Sequence, residues 1–463
     1  MKPTIGIEVH VELKSKAKVF SDSKNNFSDE ANTNINIIDL AYPGALPKLN
    51  KEVINMALKA CLALNCKINK VMHFDRKNYF YPDLPKGYQI TQHDTPIGYD
   101  GYLSIDGKDI GIERIHIEED TCKSIHSDVT LLNFNRAGVP LIEIVTKPEI
   151  VSGKEAMAYL EKLRETLLYL GISDVKMEEG SMRCDINLSI SSTKKLGTKC
   201  EIKNMGSISA VGIAVDYEIK RQKELLEKNK SIIEETRRYD EETKTTVLMR
   251  VKEKGNDYRY FPEPDIPFIH LTAECIEEVK KSIPVLTDEL KTKYESLGIN
   301  SQNIKTIINN KDLCDFFEKV VDKANPVIAS NLLTGDISSY LNKNFVSIEN
   351  TGLSINNFVL LVKKLEDNEI SSKQAKEIIP VLLESYKEID VIINELGIEK
   401  VDDSRILATV QKIIESNPES VKDYKEGKDR ALKYLMGQVM SVSKGQADPV
   451  IANKLLIEEL KKY

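Results

Sequence analysis

The sequence TIGIEVHVEL, from Thr4 to Leu13, alternates apolar and polar residues without a break. Successive side chains of a β-strand point to opposite faces, so the aliphatic residues would share a buried face while Glu8, His10 and Glu12 share the other. Two carboxylates beside an imidazole on a rigid strand could bind a divalent metal ion or serve in acid–base chemistry. An ordinary sheet with a polar face toward solvent gives the same pattern, and this strand alone leaves both interpretations open.

The composition indicates a globular chain with more than one domain. At 463 residues, 41% of them hydrophobic, the chain should hold two or three domains. The first residues, MKPTIGIEVH, lack the basic start and apolar run of a secretory signal, and no run of roughly 20 apolar residues occurs. We therefore expect a cytoplasmic protein without a secretory signal or a membrane span. The seven cysteines are scattered and never form a C-x-x-C pair, which indicates reduced thiols. The net charge of −7 argues against overall attraction to nucleic acid but allows a local basic surface.

Two parts of the chain differ in their periodicity. Up to about residue 270, glycine and proline punctuate short alternating segments, which predicts an α+β domain built on antiparallel sheet. Helices are expected over Glu155–Tyr169 and from a cap at Ser207 toward Lys223. The proline-rich segment FPEPDIP (Phe261–Pro267) should end the regular structure of this domain.

From about Asp288 onward, helical spacing dominates the sequence. We therefore predict a first domain at residues 1–287, an all-helical domain at 288–395 and a helical tail domain at 396–463. In the tail, helices are expected from Pro418, from Arg430 to Ser443 and from Pro449.

The tail is locally basic on an acidic chain. Between Lys422 and Lys454 there are seven Lys/Arg residues against four acidic ones. This surface could contact a phosphate backbone, or it could be the solvated face of a helix. The candidate nucleic-acid contacts are Lys425, Lys428, Arg430, Lys433 and Lys444.

Three further segments offer polar side chains from predicted strands: IHIEED (Ile115–Asp120), MRCDINLSI (Met182–Ile190) and EIKN (Glu201–Asn204). In the first of these, His116 and Glu118 would share one face, and Glu119 would lie on the other. Each segment alone could be a solvent-exposed face, but together they suit a site for a hard cation. The sequence has neither a phosphate-binding G-x-x-x-x-G-K-[ST] loop nor a G-x-S-x-G nucleophile motif, which favours activation of a phosphoryl or acyl group over hydrolysis of an amide.

Two loops interleave aromatic and basic residues, Asp75–Gln92 and Asp257–Pro264. Such loops can stack the bases and hold the phosphates of an unpaired nucleic-acid end. Packing of tyrosine and phenylalanine around proline turns explains them equally well, so both interpretations stay open.

Several motifs, in their order along the chain, make the sequence resemble the B subunit of the aspartyl/glutamyl-tRNA amidotransferases. The motifs are GIEVHVEL (Gly6–Leu13), AYPGALPKLN (Ala41–Asn50), RKNYFYPDLPKGYQI (Arg76–Ile90), IHIEED, NRAGVPLIEIVT (Asn135–Thr146), SMRCDIN (Ser181–Asn187), EIKN, DYRYFPEPD (Asp257–Asp265), MGQVM (Met436–Met440) and KGQA (Lys444–Ala447). The resemblance implies a catalytic "cradle" domain, a helical domain and a tail like the YqeY tRNA-binding module.

The resemblance also implies an activity. Members of this family work with two partners: an amidase, the A subunit, which releases ammonia from glutamine, and a small C subunit. The family member itself binds Glu-tRNA(Gln) or Asp-tRNA(Asn), uses ATP and Mg²⁺ to phosphorylate the side-chain carboxylate, and lets ammonia displace the phosphate. The motifs do not indicate which of the two tRNAs is the substrate or which residues bind ATP.

Site residues follow from the resemblance by matching motifs. The implied metal ligands are His10, Glu119, Asp185 and Glu201, with Glu8 and Glu118 nearby. The implied catalytic residues are Lys77, Glu119 and Glu8. Lys77 would lie at the mouth of the ammonia channel, where it could pair with Glu119.

The chain departs from the family at a structural zinc site. Many members carry four cysteines before the YPGALP segment, but the equivalent positions here are Ser21, Ser23, Asn36 and Asp39. Without thiolates we predict no structural zinc, and this loop must be held by packing or side-chain hydrogen bonds.

Two other functions remain open at this stage. The chain could be a non-catalytic tRNA-binding scaffold whose carboxylate faces are merely polar. It could also be a carboxylate kinase that acts without partner subunits.

Overall fold

The computed structural model describes residues 1–193, 195–251, 257–398, 403–426, 428–442 and 449–462. Two compact units are present, Met1–Thr287 and Asp288–Tyr463. Among the described residues, no helix combines the length and the apolar character needed to cross a bilayer.

The first unit combines sheets with a few helices. Its strands are β1 (Lys2–Glu12), β2 (Lys67–Ile68), β3 (Val71–Met72), β4 (Asp75–Asn78), β5 (Tyr88–Thr91), β6 (Gly98–Ile105), β7 (Lys108–Glu119), β8 (Lys123–His126), β9 (Thr130–Asn133), β10 (Pro140–Thr146), β11 (Met182–Ser191), β12 (Cys200–Lys203), β13 (Glu235–Asp240), β14 (Thr245–Val251), β15 (Phe261–Pro262) and β16 (Ile269–His270). Its helices are α1 (Lys51–Ala63), α2 (Gly153–Tyr169), α3 (Ile208–Glu227) and α4 (Ala273–Lys281).

The main sheet has the strand order β14-β13-β12-β11-β1-β10-β7-β6-β2. All of its pairs are antiparallel except β12 with β13, which is parallel. Strand β1 lies between β10 and β11, so that His10 is opposite Glu143 on one side and Arg183 on the other. This register brings the polar faces of neighbouring strands together.

The aliphatic face of β1 is buried as its alternation predicts: Ile5, Ile7, Val9 and Val11 are fully buried. They join one core with residues of α1, α2 and α3. Burial of each such side chain contributes about 1.5–3 kcal/mol. Ser207 accepts a hydrogen bond from the backbone N–H of Ala210 and caps α3, so the predicted cap is confirmed.

The proline-rich segment does not end the regular structure of the first unit, so that prediction is wrong. Phe261 and Pro262 form β15, which pairs with β4 in a small sheet of order β15-β4-β5. Proline is tolerated there because β15 is an edge strand whose outer side needs no N–H donor. Glu263 follows and is buried, with both carboxylate oxygens bonded to Arg76 at 2.6 and 2.8 Å.

The second unit is helical. Its helices are α5 (Thr287–Ser296, which begins at the last residue of the first unit), α6 (Ser301–Asn309), α7 (Lys311–Glu318), α8 (Pro326–Leu332), α9 (Ser338–Asn344), α10 (Ile355–Glu366), α11 (Ser372–Glu384), α12 (Ile389–Glu395), α13 (Asp403–Ser416), α14 (Pro418–Lys425), α15 (Asp429–Val442) and α16 (Pro449–Leu460). Helices α13 to α16 share a core that includes Val410, Ile414, Leu435 and Leu456. The predicted α+β class, with a largely antiparallel sheet first and helices after it, is confirmed. The division of the helical part near residue 395 stays a prediction.

Candidate active site on the polar face of the sheet

One face of the main sheet is covered by charged and polar side chains from neighbouring strands. They are His116 and Glu118 of β7, Glu143 of β10, Glu8, His10 and Glu12 of β1, Arg183, Asp185 and Asn187 of β11, and Glu201 and Lys203 of β12. Residues paired across an antiparallel ladder share a face, so the register places all of them on this side. A cleft of about 360 Å³ opens on this face, lined in part by His10, Lys77, Glu118, Asp185 and Lys203.

Two imidazoles and two carboxylates form the first cluster on this face. The Nε2 atom of His10 lies 3.3 Å from Glu143 Oε2 and 3.6 Å from Glu118 Oε1. The Nε2 atom of His116 lies 3.2 Å from the same Glu143 oxygen and 3.7 Å from Glu118 Oε2. Burial alone would lower the pKa of His116, but Glu143 and Glu118 outweigh it and raise that pKa to about 9.

A second cluster consists of carboxylates alone. One oxygen each from Glu8, Asp185 and Glu201 lies within 4.8 Å of the others. Burial, and then the charge of Glu143, raise the pKa of Glu8. Lys203 is ion-paired with Asp185 and lies 3.3 Å from Glu201, so its charge offsets part of the repulsion.

The carboxylate cluster fits a hard divalent cation. Asn187 donates from Nδ2 to Glu8 at 2.8 Å, whereas its Oδ1 atom is buried without a hydrogen-bond partner. Crowded carboxylates beside an unsatisfied amide oxygen offer the oxygen ligands that Mg²⁺ prefers. Of the predicted metal ligands, the structure thus brings Asp185 and Glu201 together with Glu8. It places His10 in the neighbouring cluster with Glu118 and Glu143.

Lys77 reaches the cleft from β4. Burial alone would lower the pKa of its ammonium group, but the charge of Glu118, followed by Tyr260 and Glu143, raises it. The Nζ atom lies 5.2 Å from the centre of the Tyr258 ring, within range of a cation–π contact. Lys77 therefore supplies a fixed positive charge at the edge of the carboxylate face.

Glu119 lies elsewhere, and the expected contact between Lys77 and Glu119 is wrong. The Glu119 carboxylate is ion-paired with Lys86 and accepts the backbone N–H of Ile90 at 2.9 Å. Both charged groups line a different cavity of about 260 Å³. Adjacent residues of a strand point to opposite faces, so Glu118 enters the cleft and Glu119 does not. The role of Glu119 as a metal ligand stays a prediction.

The four positions that replace the family's zinc cysteines do meet in space. Asp39 accepts hydrogen bonds from the hydroxyl groups of Ser21 (2.7 Å) and Ser23 and from the backbone N–H of Asn36 (3.0 Å). The fully buried ammonium group of Lys18 lies 3.5 Å from the same carboxylate. Of the two predicted means of holding this loop, packing or side-chain hydrogen bonds, the structure shows the hydrogen bonds. The absence of zinc stays a prediction.

The aromatic loops are largely packed against each other. Arg76 lies over the Tyr88 ring at 4.2 Å, and Tyr258 contacts both Tyr79 and Tyr260. In the same region, Phe80 and Tyr81 are 81% and 69% exposed. Packing therefore explains most of these aromatic residues, and base stacking stays open for Phe80 and Tyr81, the two most exposed of them.

The basic candidates of the tail lie on or beside α14 and α15. Lys425 ends α14, and Arg430 and Lys433 lie on α15. Lys428 forms ion pairs with Asp423 and Glu426 at 2.7 and 3.0 Å. Lys444 lies outside the described residues.

Three charged residues of this region, Glu143, Lys203 and Lys86, were not among the predicted site residues, although Lys203 and Lys86 lie in segments that the sequence singled out. Glu143 is the one charged residue in the largely apolar, β-branched strand PLIEIVT, so the signal for a strand was present. Nothing in that segment indicates that β10 lies between β1 and β7, where Glu143 contacts both histidines.

Most of the chain matches two protein-family models. The model described as the GatB/GatE catalytic domain matches residues 3–277, and the model described as the GatB domain matches residues 315–460. The chain therefore belongs to the GatB family, and the resemblance seen in its motifs is confirmed.

Relatives in this family match almost end to end. The chain is 48% identical to proteins of Bacillus velezensis, Geobacillus thermodenitrificans and Staphylococcus aureus. Each alignment covers 99% of this chain and 98% of the relative. All three relatives are named as the B subunit of an aspartyl/glutamyl-tRNA(Asn/Gln) amidotransferase.

Proposed function

We propose that this chain is the tRNA-binding and carboxylate-activating subunit of an ATP-dependent, glutamine-hydrolysing tRNA amidotransferase. It would amidate Glu-tRNA(Gln), Asp-tRNA(Asn) or both, in the cytoplasm, for use in translation. The 48% identity over nearly the whole of three relatives so named supports this activity. The observation that carries the proposal is the carboxylate cluster of Glu8, Asp185 and Glu201, whose member Asp185 lines the same cleft as Lys77.

The charged residues in and around the cleft divide into two kinds of task. Glu8, Asp185 and Glu201 would hold Mg²⁺, which neutralises the phosphates of ATP when bound. Lys77 and Lys203 place fixed positive charges where phosphoryl oxygens gain negative charge, without reorganisation during the reaction. The substrate carboxylate would attack the γ-phosphoryl group and release ADP, after which ammonia displaces the phosphate.

Release of ammonia from glutamine is assigned to the amidase partner, the A subunit, in a complex that also contains the small C subunit. The thiols of this chain suit that division of labour. Burial raises the pKa of Cys184 to about 12 and that of Cys122 to about 11, so both are protonated and poor nucleophiles at neutral pH. Among the cysteines, Cys275 alone is partly exposed.

Reconstitution tests the proposal. We expect the chain, together with the amidase and the small partner, to convert at least one of the two misacylated tRNAs in a reaction that requires both ATP and glutamine. Formation of amidated product is measured on each tRNA separately, with ATP omitted as the control. Absence of product on both tRNAs would contradict the proposal and favour the scaffold alternative. Equal activity of the isolated chain with free ammonia, with no gain from the partners, would favour the stand-alone kinase.

We expect Lys425→Glu combined with Arg430→Glu to weaken tRNA binding about 10-fold at moderate salt. Reversing two cations should also reduce the slope of log affinity against log salt by about two, because each removes roughly one phosphate contact. Binding is measured by filter retention over a series of salt concentrations, and the amidation rate at saturating tRNA should be retained.

The matched control for the tail is Lys305→Glu combined with Lys343→Glu. It makes the same charge change on two exposed helical lysines outside the tail. Equal loss of affinity in both double variants would indicate general electrostatics and remove the tail from the binding surface.

A further inference from the structure

A third group of possible metal ligands lies outside the cleft. His73 follows β3, Asp75 begins β4, and Asp94 lies in the turn after β5. One ligand atom from each lies within 4.8 Å of the other two. None of these three residues lines the cleft or the Glu119 cavity in the described part of the chain.

The two ring nitrogens of His73 lie where those of a metal-binding histidine would lie. The Nε2 atom of His73 is buried and has no hydrogen-bond partner, although Asp75 Oδ1 is only 3.1 Å away. Two ligands of a four-coordinate ion with bonds of about 2.0–2.1 Å lie at a similar separation. The other ring nitrogen, Nδ1, lies 3.1 Å from Thr95 Oγ1. Metal-binding histidines are usually held by a hydrogen bond to this second nitrogen, which fixes the ring orientation.

Asp75 is also held in a fixed orientation. Its side chain is only 1% exposed, and Oδ2 accepts the backbone N–H groups of His93 at 2.7 Å and Asp94 at 3.4 Å. These bonds turn Oδ1 toward the imidazole of His73. A buried carboxylate without a cation is costly, so a bound ion would relieve the cost of this arrangement.

A neighbouring residue, His93, offers a fourth ligand, and the types of donor atom indicate which kind of ion would bind. His93 Nδ1 lies 2.7 Å from Asp94 Oδ1, and its ring stacks on Tyr260 with centroids 4.2 Å apart. A donor set of imidazole and carboxylate suits first-row transition metals, whereas Mg²⁺ and Ca²⁺ prefer oxygen ligands alone. This set therefore differs from the carboxylate cluster of Glu8, Asp185 and Glu201.

We propose that His73, Asp75 and Asp94 form a second metal site, for a divalent first-row transition-metal ion. The site joins the turn after β5 to the start of β4. Its ligand Asp75 lies two residues before Lys77 on β4. The role of the site is structural, because it fixes the small sheet that carries Lys77. It is separate from Ser21, Ser23, Asn36 and Asp39, where we predict no zinc.

Cobalt binding tests the proposal on the full-length, chelator-washed chain. Excess Mg²⁺ is present to fill the carboxylate cluster, and Co²⁺ is measured by equilibrium dialysis and by its visible absorption. We expect His73→Ala to lose one bound Co²⁺ per chain relative to the unmodified protein. The control His126→Ala removes an exposed imidazole on the β8–β9 hairpin and should lose none. His10→Ala in the cleft should likewise keep the ion of the second site.

A milder variant covers the case in which His73→Ala does not fold. Asp94 is 68% exposed, so Asp94→Asn should fold normally and weaken Co²⁺ binding at this site at least about 10-fold. Folding is checked by circular dichroism, and the rise in melting temperature with Co²⁺ should shrink in parallel. Unchanged Co²⁺ stoichiometry and affinity in folded Asp94→Asn protein would overturn the proposal.

Discussion

Replacement of Glu118 by Gln is expected to lower the amidation rate of the reconstituted enzyme about 100- to 1,000-fold, the range found when a preorganised charge or donor is removed from an active site. The Glu118 carboxylate is buried in the cleft and contacts both His10 and His116. Its charge is also the largest influence that raises the pKa of Lys77 against the lowering effect of burial. Gln keeps the shape of the side chain and removes that charge.

The matched control is Glu119→Gln, the same change one residue further along β7. Its carboxylate pairs with Lys86 in the other cavity, and a Gln amide oxygen can still accept the N–H of Ile90. We expect at most about a 10-fold fall in rate, together with some loss of stability because Lys86 loses its partner.

Two measurements separate chemistry from binding in this pair. The catalytic constant is measured at saturating ATP and misacylated tRNA, and the tRNA dissociation constant is measured separately. Both variants should bind tRNA as the unmodified chain does. A large loss in Glu119→Gln with a small one in Glu118→Gln would contradict the structure-based assignment and restore Glu119 as the metal ligand that the family motifs imply. Unchanged turnover in both variants would favour the non-catalytic scaffold.

Local pattern was sufficient to predict several elements of this fold. The alternation in Thr4–Leu13 predicted both the strand and its two faces, because a period of two has one structural interpretation. The Ser207 cap and the starts of the tail helices at Pro418 and Pro449 also agree with the structure, since caps and N-terminal prolines act within one helical turn.

The arrangement of the site depends on strand order, which local pattern does not contain. His10, Glu143 and His116 meet because β10 pairs with β1 on one edge and β7 on the other. These strands are more than 20 residues apart in sequence, and their pairing is decided by packing of the whole sheet. The choice between Lys77 and Lys86 as the partner of Glu119 was beyond sequence reasoning for the same reason. The opposite orientations of Glu118 and Glu119, in contrast, followed from the strand period.

The Lys18 ammonium group is the second place where we expect a large effect. Replacement by Met, a side chain of similar length, should lower the free energy of unfolding by about 3–5 kcal/mol, the usual cost of removing one partner of a buried ion pair. Lys18 and Asp39 are both buried, and Lys18 also donates to the backbone oxygen of Phe134 at 3.2 Å. The space around this ion pair is tight, and position 138 favours glycine. A Cβ atom there would lie 3.3 Å from Asp39 Oδ1, and the φ of +81° disfavours other residues.

Urea unfolding followed by tyrosine fluorescence measures this change in a chain that has no tryptophan. The control Lys48→Met breaks the ion pair between Lys48 and Asp22, whose side chains are 68% and 75% exposed, respectively. This change should not alter the free energy of unfolding measurably. The double variant Lys18→Met/Asp39→Asn should be more stable than the sum of its single changes predicts, because a neutral amide in place of the carboxylate leaves no unpaired charge in the core. Additive losses in that cycle would show that Lys18 acts through packing alone. The hydrogen bonds from the hydroxyl groups of Ser21 and Ser23 to Asp39 would then be the main polar contacts that hold this loop.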